Sequence, residues 1–247
     1  MTDLVLSILI LGSLGLVAGV MGGVIGFGTT IILMPALVHF YGPVQTVSII
    51  AITATIANFS RVILWWRETN WKVCLVYSLT AIPAVALGAN TLVLLNGTLI
   101  EAILGIFLIA LIPIRRWLRR QAFKITLWHM SVVGAAIGYL TGIVATTGAI
   151  NTPFFLAFGL VKGAYLGTEA ASSLFMLIAK IFVFQQLGVL DVLAITRGLM
   201  LGVCVMAGSI LSKRIVLALP EKRFMQLMES VMLISGLSIL GQCLYSQ

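Results

Sequence analysis

Two basic side chains stand where water is not expected. Lys180 lies between Leu177-Ile178-Ala179 and Ile181-Phe182-Val183, and Arg197 between Ala194-Ile195-Thr196 and Gly198-Leu199-Met200. A cation at the centre of a bilayer costs about 2.5–3.5 kcal/mol on insertion scales, so it needs a reason. If the two runs form a hairpin turning near Gly188, both cations lie at a similar depth, roughly 10 Å below one face at 1.5 Å per residue. Two like charges at one level suit an anion, and Asp191 is too close to the turn to serve both. The competing reading is that each long stem snorkels its charge to the interface.

A second kind of chemistry comes from two glycine-rich interruptions. Gly26-Phe27-Gly28-Thr29-Thr30 and Ala145-Thr146-Thr147-Gly148-Ala149-Ile150-Asn151 fall in the middle of long apolar stretches. A membrane helix broken there exposes backbone N–H groups at a half-helix N-terminus, where the dipole favours an anion. Gly26, Gly28 and Gly148 allow the turn. Thr29, Thr30, Thr146, Thr147 and Asn151 can either donate to an oxyanion or cap the half-helix. The segment after each tip adds Thr53, Thr55 and Asn58 in one half, and Ser172, Ser173 and Lys180 in the other. At an offset of 122, Asn58 aligns with Lys180, an amide in place of a charge. Ser and Thr in such helices also simply bond their own backbone.

Of the acids, Glu169 precedes Lys180 by eleven residues on the same helical face, about 16 Å away and beyond a direct salt bridge. It reads as a proton-coupling carboxylate or an interfacial anchor. Glu101 reads as interfacial and Glu229 as a bridge between helices. Other chemistries find no support. The two histidines, His39 and His129, lie at opposite ends of different segments, and zinc sites of the H-E-x-x-H kind need them clustered. Cys74, Cys204 and Cys243 have no metal or disulfide spacing. There is no G-x-S-x-G elbow and no Walker lysine loop. No cofactor and no metal is called for, and an enzyme is the least favoured class.

The elements that must position these residues follow from composition. Of 247 residues, 61% are hydrophobic and 9% charged, far from the quarter charged of soluble domains. This is an all-α polytopic membrane protein. Its net charge of +8 resides in short loops such as Arg115-Arg116-Trp117-Leu118-Arg119-Arg120, which read as anchors facing anionic lipid rather than nucleic acid. Apolar segments run over about 4–41, 44–66, 72–95 and 97–116, then 125–161, 165–186, 190–212 and 222–244. The two sets resemble each other. Gly15-x-x-x-Gly19-x-x-x-Gly23 aligns with Gly134-x-x-x-Gly138-x-x-x-Gly142, Pro35 with Pro153, Thr46 with Thr168, and Gly88 with Gly208. Two repeats, 1–118 and 119–247, are therefore expected within one membrane domain.

Charge decides their relation. If each long first segment crosses once, Lys162, Lys213, Arg214, Lys222 and Arg223 fall outside, against the positive-inside rule. If each doubles back at its tip, every repeat has about five helical elements and the second is inverted. Thirteen of the fifteen bases, from Arg61 and Arg67 to Lys222 and Arg223, then lie in inner loops. Both termini are expected on the non-cytoplasmic side of an inner membrane.

The G-x-x-G-x-G run followed by a proline within Gly19–Pro35, with its glycine-rich counterpart within Gly138–Pro153, resembles the TauE/SafE sulfite exporter family over nearly the whole chain. That resemblance implies an inner-membrane carrier for sulfite, sulfonates and similar anions. Thr29 and Thr30 stand where the family has further glycines, and Thr146-Thr147-Gly148 also departs, which leaves other small anions open. The expectation is a secondary transporter for a small anion, coupled to protons, working by alternating access. An anion channel or a carboxylate carrier is the alternative. Its partners are the anion and the bilayer, and a homo-oligomer is compatible with the chain.

Overall fold

A computed structural model describes residues 2–92, 125–143, 148–188 and 190–220, with Arg223, Gln226 and Ser230 beyond them. Seven helices run through the described residues: α1 (Thr2–Ile25), α2 (Gly28–Trp65), α3 (Trp71–Leu92), α4 (Leu127–Ile143), α5 (Gly148–Ala157), α6 (Lys162–Gln186) and α7 (Val192–Ala218). No strand occurs among them. Four stretches are long and apolar enough to cross a membrane: Ser48–Trp65, Trp71–Thr91, Lys162–Gln186 and Val192–Ala218. Shorter apolar helices run over Leu11–Ile25 and Leu127–Ile143. The segments expected at 97–116 and 222–244, with Glu101, Glu229 and Cys243, lie outside the described residues, as do Thr146 and Thr147.

Helices in lipid associate through close backbone contact, because lipid tails are as apolar as leucine. The glycine stripes supply that contact. Along α1, Gly15 meets Leu201 and Cys204, Gly19 meets the Val205 backbone, and Gly23 meets Ser209 and Ser212, all on α7. Residue numbers rise together, so α1 and α7 run parallel. Along α4, Gly134 meets Tyr77, Gly138 meets Ala81, and Gly142 meets Val85 and Ala89 of α3. This pair is parallel too. Hydroxyls join the seams: Ser209 Oγ donates to the Gly19 carbonyl at 3.3 Å and Thr80 Oγ1 to the Ser131 carbonyl at 2.7 Å. The opposite faces carry Leu79, Trp128 and Val192, each at least 75% exposed, as a hydrocarbon solvent requires.

Helix α2 is longer than any segment expected there, because helical backbone continues through Gly42 and Pro43 where a break between 41 and 44 was predicted. It is not straight. Thr29 and Thr30 line the same small cavity as Ala54, Ala57, Asn58 and Arg61, whereas a straight helix would hold Thr30 and Ala54 about 36 Å apart. The chain thus reverses between them. Thr29 lies back along α1, its hydroxyl donating to the Ala18 carbonyl at 3.2 Å. The second limb of α2 runs with α7: Thr53 Oγ1 donates to the Gly198 carbonyl at 3.1 Å, Ile56 meets Gly202, and Lys213 Nζ donates to the Leu64 carbonyl at 2.7 Å. Against α6 the same limb runs antiparallel, since Asn58 and Arg61 face Ser173 and Glu169 while Trp65 meets Gly163 and Gly167. In the second half the matching turn is open: Phe158–Val161 separate α5 from α6, with Gly159 at φ +99°.

Candidate functional site

The first interruption falls where the glycines predict it. Gly26 closes α1 with its N–H donating to the Gly22 carbonyl at 2.7 Å. Its φ of +101° is a conformation side chains rarely adopt, and a Cβ there would stand 2.8 Å from Tyr165 Oη. Tyr165 closes the end of α1 by donating to the Ile25 carbonyl at 3.3 Å and sharing a 2.6 Å bond with Thr152 of α5. Phe27 precedes α2 without giving it a side-chain cap. Gly148, the first residue of α5, is so near that a Cβ on it would stand 2.5 Å from Phe27 Cβ and 3.6 Å from Glu169 Oε1. Gly148 and Phe27 therefore meet at one point, though they stand more than a hundred positions apart.

A cavity of about 50 Å³ opens beside that meeting point, room for about four water-sized groups. Gly26, Phe27, Thr29 and Thr30 form one wall, Ala54, Ala57, Asn58 and Arg61 the second, and Thr141, Gly148, Glu169, Ser173, Met176 and Leu177 the rest. Arg61 and Glu169 form a salt bridge of 2.8 Å between Nη1 and Oε2, with side chains 5% and 1% exposed. The other guanidinium nitrogen donates to Asn58 Oδ1. Ser173 Oγ donates to Glu169 Oε1 at 2.7 Å. Each end of the ion pair thus has a neutral polar neighbour on its own helix. Burial of charges is sustained only with such additional hydrogen bonds.

Arg61 corrects the charge count made from sequence. It was grouped with the bases of inner loops, yet it is 4% exposed within α2 and faces α6. Arg67, in the connection to α3, and Lys72, in its first turn, are by contrast exposed. A spacing signal was present: Asn58-x-x-Arg61 puts both polar groups on one helical face, and the apolar run continues past Arg61 through Val62-Ile63-Leu64-Trp65.

The other residues singled out divide clearly. Gly26, Thr29, Thr30, Asn58, Gly148, Glu169 and Ser173 line the cavity, and Gly28 opens α2 beside it. Thr53, Thr55 and Ser172 donate to the carbonyls of Ile49, Ala51 and Thr168 one turn back on their own helices. Asn151, fully buried, accepts from Tyr77 Oη at 2.5 Å. Lys180 is 2% exposed; its ammonium donates to the Thr141 carbonyl at 2.6 Å and lies 5.1 Å from the Phe184 ring centre. A cation on a carbonyl of the last turn of α4 opposes the negative end of that helix dipole. Arg197 is half-buried elsewhere, donating to Gln45 Oε1 at 2.7 Å and stacking 4.1 Å from the Tyr41 ring centre. Lys180 faces α4 and Arg197 faces α2, so the two cations do not share one site. Among cysteines, Cys74 is buried and Cys204 half-buried, both as free thiols. His129 is exposed and bonds Thr126, and no cluster of metal-ligating side chains occurs among the described residues.

Apolar helices packed through glycine, with a buried ion pair in a cavity where the start of α2 meets the start of α5, define a polytopic membrane protein of transporter type. The chain belongs to the TauE/SafE sulfite exporter family, whose model matches residues 11–239. That family is one of membrane transporters. No curated protein and no solved structure matches it.

Proposed function

We propose that the chain is a secondary transporter that carries a small anion, a sulfur oxyanion of the sulfite type, across the bacterial inner membrane through the cavity at the two interruptions. The observation that carries this reading is the buried Arg61–Glu169 pair in a cavity walled by residues of both halves. The cavity, about 50 Å³, is of a size to hold a compact oxyanion beside the ion pair. Thr30, Asn58 and Ser173 supply neutral hydrogen-bonding groups around it, and the uncapped start of α2 adds dipole charge of the right sign. Thr146 and Thr147 belong to the same reading as members of the second tip. Lys180 acts on the cavity wall through Thr141, and Arg197 at the reversal of α2.

The transport cycle follows from the repeats. Residues 1–118 and 119–247 are read as two inverted repeats that rock about the cavity. Reciprocal packing supports this: α1 of the first lies on α7 of the second, and α4 of the second on α3 of the first, through matching glycine stripes. Parallel α1 and α7, with the second limb of α2 antiparallel to α6, support that inverted reading. Glu169 is the proton-coupling carboxylate of the cycle. Purified protein in liposomes tests the function. Sulfite uptake should exceed uptake of bulkier sulfonates and carboxylates and should rise with an imposed proton gradient. No flux of any anion would remove the proposal.

A further inference from the structure

We infer that Arg61 is the ligand of the transported anion and that Glu169 is its built-in substitute, holding the anion's position on Arg61 while the site is empty. This rests on the transport reading above and assigns its chemistry to two side chains. A guanidinium presents a planar fork suited to two oxygens of one oxyanion. Here the fork is divided, with Nη1 on Glu169 Oε2 at 2.8 Å and the other nitrogen on Asn58. Glu169 therefore uses one oxygen on Arg61 and leaves the other to Ser173 at 2.7 Å. Both partners of Arg61 border the cavity, so an anion arriving there can take the fork. The displaced carboxylate keeps Ser173 as a partner on its own helix.

Charge balance then links the anion to a proton. The resting pair is neutral. A monovalent oxyanion entering beside it would leave one uncompensated negative charge among buried side chains. Uptake of one proton by Glu169 removes it: Arg61 cation with Glu169 carboxylate, plus anion, plus proton, becomes Arg61 cation with anion, plus neutral Glu169. The reverse step on the other side releases both. One proton travels with one monoanion, and no separate proton path is required. The groups placed about Glu169 are Arg61 and Asn58 from α2, Ser173 on its own helix and Gly148 from α5. Lys180 donates to the Thr141 carbonyl at the cavity wall. Arg61 is thus the one cation in contact with the Glu169 carboxylate among the described residues.

Proteoliposomes with sulfite as the probe separate the roles. Glu169→Gln should keep sulfite-for-sulfite exchange and lose accumulation driven by a pH gradient. Its sulfite affinity should rise about tenfold or more, since close charge pairs couple by at least that factor. Arg61→Gln combined with Glu169→Gln leaves no unpaired buried charge, so it should fold, and it should lose exchange. Detergent-solubilised wild-type protein should gain thermal stability from sulfite, and the double variant should not. If wild-type protein moves sulfite but Glu169→Gln still accumulates it on a pH gradient, the inference fails while the function stands. Exchange by the double variant at the wild-type rate overturns it equally. If the wild type moves no anion, the function itself fails.

Discussion

Arg61 and Glu169 illustrate how much a single buried pair can demand of a chain. Each is nearly solvent-free, and each leans on a neutral neighbour. Removing one partner leaves a bare charge in the helix interface, so Arg61→Gln alone should destabilise the protein by about 3–5 kcal/mol, whereas the paired neutral variant should lose much less. Thermal unfolding in detergent compares the two; equal losses would show that the charges do not depend on one another. Gly26 is a second single-residue requirement. With φ at +101° and Tyr165 Oη 2.8 Å from any added Cβ, Gly26→Ala should cost about 1–3 kcal/mol. Adding Tyr165→Phe should recover only the steric part. At this scale the sequence was legible for Gly26, Asn58, Glu169 and Ser173, whose polarity or flexibility breaks an apolar pattern. Arg61 escaped because a base near the end of an apolar segment reads first as a topology marker. Only packing against α6 reveals that it points inward.

At the scale of elements, the glycine stripes decide which helices meet. Gly19 and Gly138 occupy equivalent places on α1 and α4, each against a backbone carbonyl of its partner, Val205 and Ala81. A side chain there forces the helices apart. Gly19→Leu and Gly138→Leu should each destabilise by about 1–3 kcal/mol, while Leu79→Ala on the lipid-facing side of α3, 78% exposed, should change stability by about 0.5 kcal/mol or less. Denaturation in detergent measures all three, and a Leu79→Ala loss as large as the glycine losses would refute the packing account. The stripes and the interruption at Gly26–Phe27 could be read from residue spacing alone. The partners of the stripes could not. Pairing joins positions nearly two hundred residues apart, and nothing local in α1 specifies α7. The expected hairpin of Lys180 and Arg197 misses for the same reason: α6 faces α2, α3 and α4, α7 faces α1 and α2, and the two cations end on different neighbours. Helix α2 departs in another way, since helical backbone survives Gly42 and Pro43 although the chain reverses between Thr30 and Ala54.

At the scale of the molecule, few charges in a long apolar chain already require a membrane, and their positions favour inverted repeats. The proposed topology puts residue 247 outside the cytoplasm. With the native cysteines replaced, Gln247→Cys should react with a membrane-impermeant reagent applied from the non-cytoplasmic side; labelling only from the cytoplasm would reject the inverted arrangement. What composition could not convey is where the halves touch, because the cavity exists only once both interruptions converge on Phe27 and Gly148. The most direct test of that cavity as the route is sulfite uptake into proteoliposomes by wild-type protein and by Ala57→Phe, which fills it from a buried wall position. The account predicts uptake by the wild type and none above protein-free liposomes for a folded Ala57→Phe. Equal uptake by both, or none by the wild type, would contradict it.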